Sequence, residues 1–130
     1  MIVRTLKECE GTSREVHSGT KTWDSVRMLL KEDGMGYSFH ITTVYAGVEM
    51  YVHYKHHLQA VYCMSGNGEL ESVANGEVHP IEAGTLYIMD QYDKHRLRGG
   101  TEDMKLACIF NPPIIGQEVH RRDGSFPPTK

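Results

Sequence analysis

Long apolar runs are missing from this 130-residue chain, and none approaches the roughly 20 residues that a membrane-spanning helix needs. Cysteine is scarce. Cys9, Cys63 and Cys108 are the whole set, odd in number and without C-x-x-C spacing, which excludes a disulfide framework and reads as free thiols in a reducing compartment. Neither sign of charge dominates: 14 Lys and Arg stand against 17 Asp and Glu, a net charge of −3. That balance gives no electrostatic footprint for nucleic acid or an anionic membrane. Low-complexity segments, long linkers and internal repeats are absent, so the length fits one domain over residues 1–130. Helical periodicity is almost absent too, since only Val3 to Cys9 reads as a short helix. Met1 runs directly into Ile-Val-Arg-Thr, without the charged segment and apolar run of a secretion signal, so a cytoplasmic location is expected.

What the chain has in quantity is strand signal. Trp23–Lys31 is rich in strand formers and ends at the turn Glu32-Asp-Gly34. Tyr37–Tyr45 alternates with β-branched and aromatic residues. Ala60–Met64 is a short apolar run before Ser-Gly-Asn-Gly68, which reads as a hairpin turn. Glu69–Val73 leads to Asn75-Gly76, a strong hairpin signal. Thr85–Met89 and Met104–Phe110 complete the series, the last stopped by Asn111-Pro112-Pro113. Strands every ten to fifteen residues with Gly-rich turns between them predict an all-β sandwich or barrel. The polar tail, about 116–130, is expected to lie along the surface or to cap the barrel mouth.

Two stretches carry spaced motifs: Gly47-x5-His53-x-Lys55-x3-Gln59-x6-Gly66, and Gly76-x5-Glu82-Ala-Gly84-x2-Tyr87. Every gap resembles the two signature motifs of the cupin superfamily, although Lys55, Gln59 and Tyr87 replace the usual His, Glu and His. Beyond these motifs the chain resembles the ectoine synthase family of cupins along almost its full length. The resemblance runs through Trp23-x-Ser25-x-Arg27, Asp33-Gly-Met-Gly-Tyr-Ser-Phe-His40, His53-Tyr-Lys-His-His-Leu58, Asp93-Lys-His95, Cys108-x-Phe-Asn-Pro-Pro113 and Glu118-Val-His120.

The resemblance implies a single-domain, jelly-roll-type cupin barrel and a metal-dependent hydro-lyase, typically a homodimer with head-to-tail subunits. It implies the cyclising dehydration of N-γ-acetyl-L-2,4-diaminobutyrate to ectoine, a compatible solute that protects against osmotic stress. It implies iron(II), with zinc or another divalent ion as alternatives, held at Gln59, Tyr87 and His95, where the family has Glu, Tyr and His. The residues that embrace substrate in the family match Trp23, Ser25, Thr42, Tyr54, Phe110, Glu118 and His120, and a further family His matches His57. No nucleic acid or membrane partner is expected.

The chemistry makes demands of its own. An amide carbonyl is a weak electrophile, so something must polarise it, and a divalent metal can do so. An ammonium is no nucleophile, so a base must deprotonate it. Thr42, Tyr54 and His57 are the candidates, with a Tyr54/His57 pair favoured. Glu118 suits the ammonium, Arg27 or Ser25 the carboxylate, and Trp23 and Phe110 form walls that exclude water. Gln59 is the departure: a neutral amide oxygen is a weaker ligand than a carboxylate. A metal-depleted cupin that only binds small molecules, or an impaired Glu-to-Gln variant, is therefore the alternative reading.

Overall fold

The computed structural model describes residues 1–129. Its strands are β1 (Glu15–His17), β2 (Trp23–Leu29), β3 (Ser38–Val44), β4 (Glu49–Val52), β5 (Leu58–Ser65), β6 (Asn67–Ser72), β7 (Val78–Glu82), β8 (Leu86–Met89), β9 (His95–Gly99) and β10 (Met104–Asn111). They form a six-stranded sheet in the order β1-β2-β3-β10-β5-β8 and a four-stranded sheet in the order β4-β9-β6-β7. All the pairings within the two sheets are antiparallel. The fold is all-β, as the strand rhythm predicts.

The helix is shorter than the sequence suggests. It spans Leu6–Cys9, because Thr5 caps it and Glu8 returns a hydrogen bond to the Thr5 N–H at 2.7 Å, a reciprocal capping box. The Asn-Gly hairpin forms, joining paired strands β6 and β7. The expected hairpin at Ser65–Gly68 does not. There the chain leaves one sheet and enters the other, and Gly66 makes the crossing at φ 85°. A Cβ at Gly66 would run into the backbone of Asp103, so only glycine fits. Four strands lacked clear sequence signals: β1, β4, β7 and β9. They are short or carry many charges, because one face of each meets solvent.

Alternation does the rest. Side chains of one strand point to opposite faces with a period of two, so the register decides which residues meet. In the six-stranded sheet, Arg27 pairs with His40, His40 with Cys108, Cys108 with Val61, and Val61 with Tyr87. That is one inward row across five strands. Flanking rows carry Ser25, Thr42, Leu106 and Cys63 on one side, and Ser38, Phe110, Gln59 and Met89 on the other. The four-stranded sheet contributes Val52, Leu70, Ile81, His95 and Leu97 to the core. The closed end of the core is apolar, with Val44, Met104 and Cys63 fully buried. The polar residues gather toward the other end.

The segment after β10 closes that end. Ile114 donates its N–H to Ser38 Oγ at 3.1 Å and accepts from the Lys31 N–H at 2.9 Å. Farther on, the His53 N–H donates to the Gly124 carbonyl at 3.0 Å. Gly124 has φ 86°, and a Cβ there would press on the backbone of Tyr51 and His53. Lys55 and Asp123 pair at 2.6 Å beside it. The tail therefore folds back over the barrel as a strap, and its Phe126 is buried against the core.

Candidate active site

One cavity opens between the sheets beneath this strap. Its walls include Trp23, Ser25, Arg27, Thr42, Tyr54, Gln59, Tyr87, His95, Phe110 and His120. The structure thus brings together ten of the twelve residues singled out in the sequence. Glu118 and His57 do not line it. Glu118 accepts hydrogen bonds from the N–H groups of Ile115 and Gly116 at 2.6 and 2.7 Å, which ties its carboxylate to the strap. Its charge still acts on Arg27 and His57. His57 is fully buried behind two cavity walls, 5.8 Å from the Phe110 ring and 6.2 Å from the Phe126 ring.

Among the described residues Arg27 is the only cation on the cavity wall, and it is 1% exposed. Its guanidinium lies 5.6 Å over the Trp23 ring and 5.5 Å over the Phe126 ring, where aromatic faces attract a cation. Nη1 donates to the Gly116 carbonyl at 3.1 Å, and Nε has no partner. Burial pushes its pKa down to about 10, with Glu118 opposing, so the group is charged at neutral pH.

Tyr54 and His120 share a hydrogen bond of 2.7 Å between the phenol oxygen and Nε2. Both are neutral. Burial holds the Tyr54 phenol well above its ordinary value and brings the His120 imidazole down to about 4, with Arg27 adding to the effect. His120 also stacks on Phe126 at 4.7 Å and meets Trp23 edge-on at 5.6 Å. Thr42 donates to Ser25 Oγ at 3.2 Å, a hydroxyl pair facing Arg27 from the neighbouring row.

Gln59 and Tyr87 from the six-stranded sheet and His95 from the four-stranded sheet also line the cavity. Gln59 Oε1 is buried without a hydrogen-bond partner. Tyr87 sits diagonally across the β5–β8 pair from Gln59, a distance long side chains bridge. Burial keeps its phenol protonated, well above the ordinary value. His95 Nδ1 lies 3.0 Å from the Asp93 carbonyl. A carbonyl only accepts, so Nδ1 carries the proton and Nε2 is a bare lone pair, which is how a carbonyl hydrogen bond prepares a histidine ligand. Burial lowers the His95 pKa and favours that neutral form. An unpartnered amide oxygen, a phenol and a prepared imidazole fit a divalent ion. No cluster of three His, Cys, Asp or Glu does so among the described residues.

Of the wall residues that had no assigned role from sequence, His40, Cys108 and Phe126 stand out against the aliphatic ones. His40 could have been found, because it alternates with Thr42 on a strand whose inward face was legible. Its Nε2 lies 3.2 Å from Ser38 Oγ, and burial keeps it neutral. Cys108 reads in sequence as a buried apolar residue, and burial pushes its thiol up to about 12. Phe126 had only the signal of a lone aromatic in a polar tail. Three buried side-chain polar atoms lack partners among the described residues: Arg27 Nε, His57 Nδ1 and Gln59 Oε1. Arg27 and Gln59 line the cavity, and buried groups left unsatisfied there mark places for a ligand, whereas His57 lies behind its wall.

The chain is similar to known proteins over nearly its whole length. An L-ectoine synthase of Aliivibrio fischeri is 58% identical over 128 residues, covering 98% of each chain. The crystal structure of ectoine synthase from P. lautus superposes with a TM-score of 0.84 at 44% identity, over 89% of this chain and 81% of that one. A Cupin 2 conserved barrel domain protein from Salinispora arenicola shares the fold, with a TM-score of 0.66 at 19% identity, over 85% and 87%. The family described as Ectoine synthase matches residues 1–130, and the chain belongs to the ectoine synthase family.

Proposed function

We propose that this chain is an L-ectoine synthase, a hydro-lyase that closes N-γ-acetyl-L-2,4-diaminobutyrate into ectoine. The observation that carries the reading is the buried Arg27 guanidinium, with an unpartnered Nε, in an aromatic-walled cavity otherwise lined by neutral polar groups. Such a site takes a small molecule bearing one carboxylate. The amine nitrogen bonds to the acetamide carbon, the carbon–oxygen bond breaks, and the oxygen leaves as water with two protons shed by the nitrogens.

Arg27 binds the carboxylate, with the Ser25 and Thr42 hydroxyls beside it. Trp23, Phe110 and Phe126 hold the flexible chain folded and keep bulk water out, which favours loss of water. On the cavity wall the Tyr54–His120 pair is able to take a proton from the amine and return it to the departing oxygen, while His57 lies behind that wall. Gln59 Oε1, the Tyr87 oxygen and His95 Nε2 would hold a divalent ion, iron(II) first and zinc as the alternative. When bound, the ion supplies Lewis-acid polarisation of an amide carbonyl.

The finer setting belongs to the same reading. Ectoine made in the cytoplasm under osmotic stress is its expected product, and a homodimer its expected assembly. The dimer has support on the outer face of the six-stranded sheet. Tyr62, Met64, Leu86, Ile88 and Ile109 are all exposed there, and cross-strand pairing joins Tyr62 to Leu86 and Ile88 to Ala60 to Ile109. A continuous apolar patch of this kind on a sheet edge marks an interface.

No helix is long and apolar enough to cross a membrane among the described residues. The alternative, a metal-depleted binding protein, is not favoured: identity of 58% spans 98% of a curated L-ectoine synthase. Metal content and cyclisation of the acetylated substrate, with and without added iron(II), test the proposal. Ectoine formation is expected. Absence of product with iron(II) supplied would overturn it.

A further inference from the structure

Glu118 stands off the cavity wall but holds the backbone that a wall residue leans on. Its two carboxylate oxygens each accept a backbone N–H, Oε2 from Ile115 at 2.6 Å and Oε1 from Gly116 at 2.7 Å. Hydrogen bonds to an ionised acceptor are shorter and stronger than neutral ones. The carbonyl of the same Gly116 accepts from Arg27 Nη1 at 3.1 Å. A single residue therefore joins the carboxylate to the guanidinium, through its N–H on one side and its C=O on the other. The turn is pinned on both flanks: Ile114 donates its N–H to Ser38 Oγ at 3.1 Å, and the Gln117 side-chain amide donates to the Ser13 carbonyl. The Arg27 guanidinium also lies over the Trp23 and Phe126 rings, at 5.6 and 5.5 Å. Ring faces attract a cation but leave it free to turn in its own plane. Among the described residues the Gly116 carbonyl is thus the contact that gives the guanidinium its direction. The Glu118 charge also opposes the effect of burial on Arg27.

We propose that Glu118 is a positioning residue for Arg27: by clamping the N–H groups of Ile115 and Gly116 it fixes the Gly116 carbonyl, and that carbonyl aims the guanidinium at the substrate carboxylate. This rests on the ectoine synthase reading for the identity of the substrate. It replaces the expectation from sequence that Glu118 meets the substrate ammonium, because both of its oxygens are engaged with the strap and its side chain does not line the cavity. The two roles differ in what they discriminate. A residue that acts through Arg27 matters only to a substrate with a carboxylate. A residue that binds the ammonium matters to every substrate with an ammonium.

The test compares full-length wild type, Glu118→Gln, Arg27→Met and the double variant. Gln keeps the shape but turns an NH2 toward one of the two N–H groups, so one bond is lost. Each protein is assayed on N-γ-acetyl-L-2,4-diaminobutyrate and on N-acetyl-1,3-diaminopropane, which keeps the ammonium and lacks the carboxylate. A hydrogen bond to a charged group carries an effect of about tenfold or more. Glu118→Gln should therefore lower kcat/KM about tenfold on the first compound and stay within about twofold on the second. In the Arg27→Met background it should change neither by more than about twofold, since the two residues act as one unit. The Arg27 Nη–H resonance, identified by its loss in Arg27→Met, should exchange slowly with water in wild type and broaden in Glu118→Gln. An equal loss on both compounds, a full tenfold loss in the Arg27→Met background, or an unchanged Nη–H resonance would overturn the proposal. If Glu118→Gln does not fold, Glu118→Asp, which keeps the charge but has a shorter reach, should give the same selective loss. The resonance is read without substrate. A wild type that forms no ectoine would therefore defeat the functional reading and leave the Glu118–Arg27 link to be decided by the spectrum.

Discussion

Replacing Arg27 with Met separates ligand binding from folding. Arg27 is 1% exposed and has one hydrogen bond, to the Gly116 carbonyl at 3.1 Å. A carboxylate about 4 Å from the guanidinium, at an effective dielectric of about 20, gains roughly 4 kcal/mol. The Ser25 and Thr42 hydroxyls retain part of the carboxylate's hydrogen bonding. The net loss is then about 3–4 kcal/mol, a fall in kcat/KM of roughly 10²- to 10³-fold. Stability should move the other way or barely at all. In the free protein the guanidinium is a buried charge lacking a direct ion-pair partner among the described residues, and swapping such a group for an apolar one of similar volume is often neutral. The lost hydrogen bond costs about 1 kcal/mol, so Tm should stay within about 5 °C. The assay is steady-state cyclisation of N-γ-acetyl-L-2,4-diaminobutyrate against its carboxylate-free analogue, N-acetyl-1,3-diaminopropane, with a parallel thermal melt. Arg27→Met should be penalised only on the substrate that carries the carboxylate. Unchanged kcat/KM, or an equal loss on both compounds, would refute the assignment of Arg27.

Gln59→Glu restores a charged oxygen to the metal-type wall, and should leave more iron bound after dialysis against a chelator; equal retention would show that the neutral amide does not limit affinity. Asp33 accepts from Arg4 at 2.7 Å and is 8% exposed in its side chain. The Arg4 hydrogen bond holds its pKa below the ordinary carboxylate value. Its stabilisation is full above the unfolded-state pKa and is lost as pH falls through the lower folded-state value, so Asp33→Asn should flatten the acid limb of the stability curve, measured by urea melts below pH 5. An acid limb as steep as wild type would exclude the pair as its source. Ile88→Glu puts a charge into the apolar outer patch and should convert the proposed dimer to monomer in sedimentation velocity, with the barrel intact by circular dichroism. A variant that still sediments as a dimer would move the interface elsewhere.

Strand positions were legible where both faces carried a signal. β2, β3, β5 and β10 are central strands with dense apolar alternation, and the sequence marks them within two or three residues. β4 and β9 were not, because Glu49, Arg96 and Arg98 face solvent and pair with one another there, which dilutes the apolar pattern. Gly66 reads as a hairpin turn but makes a sheet crossing. Local sequence encodes the bend, and the partner of each flanking strand is decided by distant residues. In the site, Trp23, Arg27, Thr42 and Gln59 could be placed together once their strands were known, since period-two alternation puts them on one face.

The sequence by itself determined the strand rhythm, the inward face of the central strands, the absence of a membrane-spanning helix and the family to which the chain belongs. These are local or collinear properties, written in spacing and alternation. The tertiary structure alone decided three further matters. It placed Glu118 on the strap backbone and His57 behind the cavity wall. It brought His40, Cys108 and Phe126 to the cavity, two from neighbouring strands and one from the tail. It also left Arg27 Nε, His57 Nδ1 and Gln59 Oε1 buried without partners among the described residues. Whether a polar atom finds a partner can depend on a group 89 residues away, as for Arg27 and Gly116. No reading along the chain can count such contacts, because burial and hydrogen bonding are properties of the packed whole.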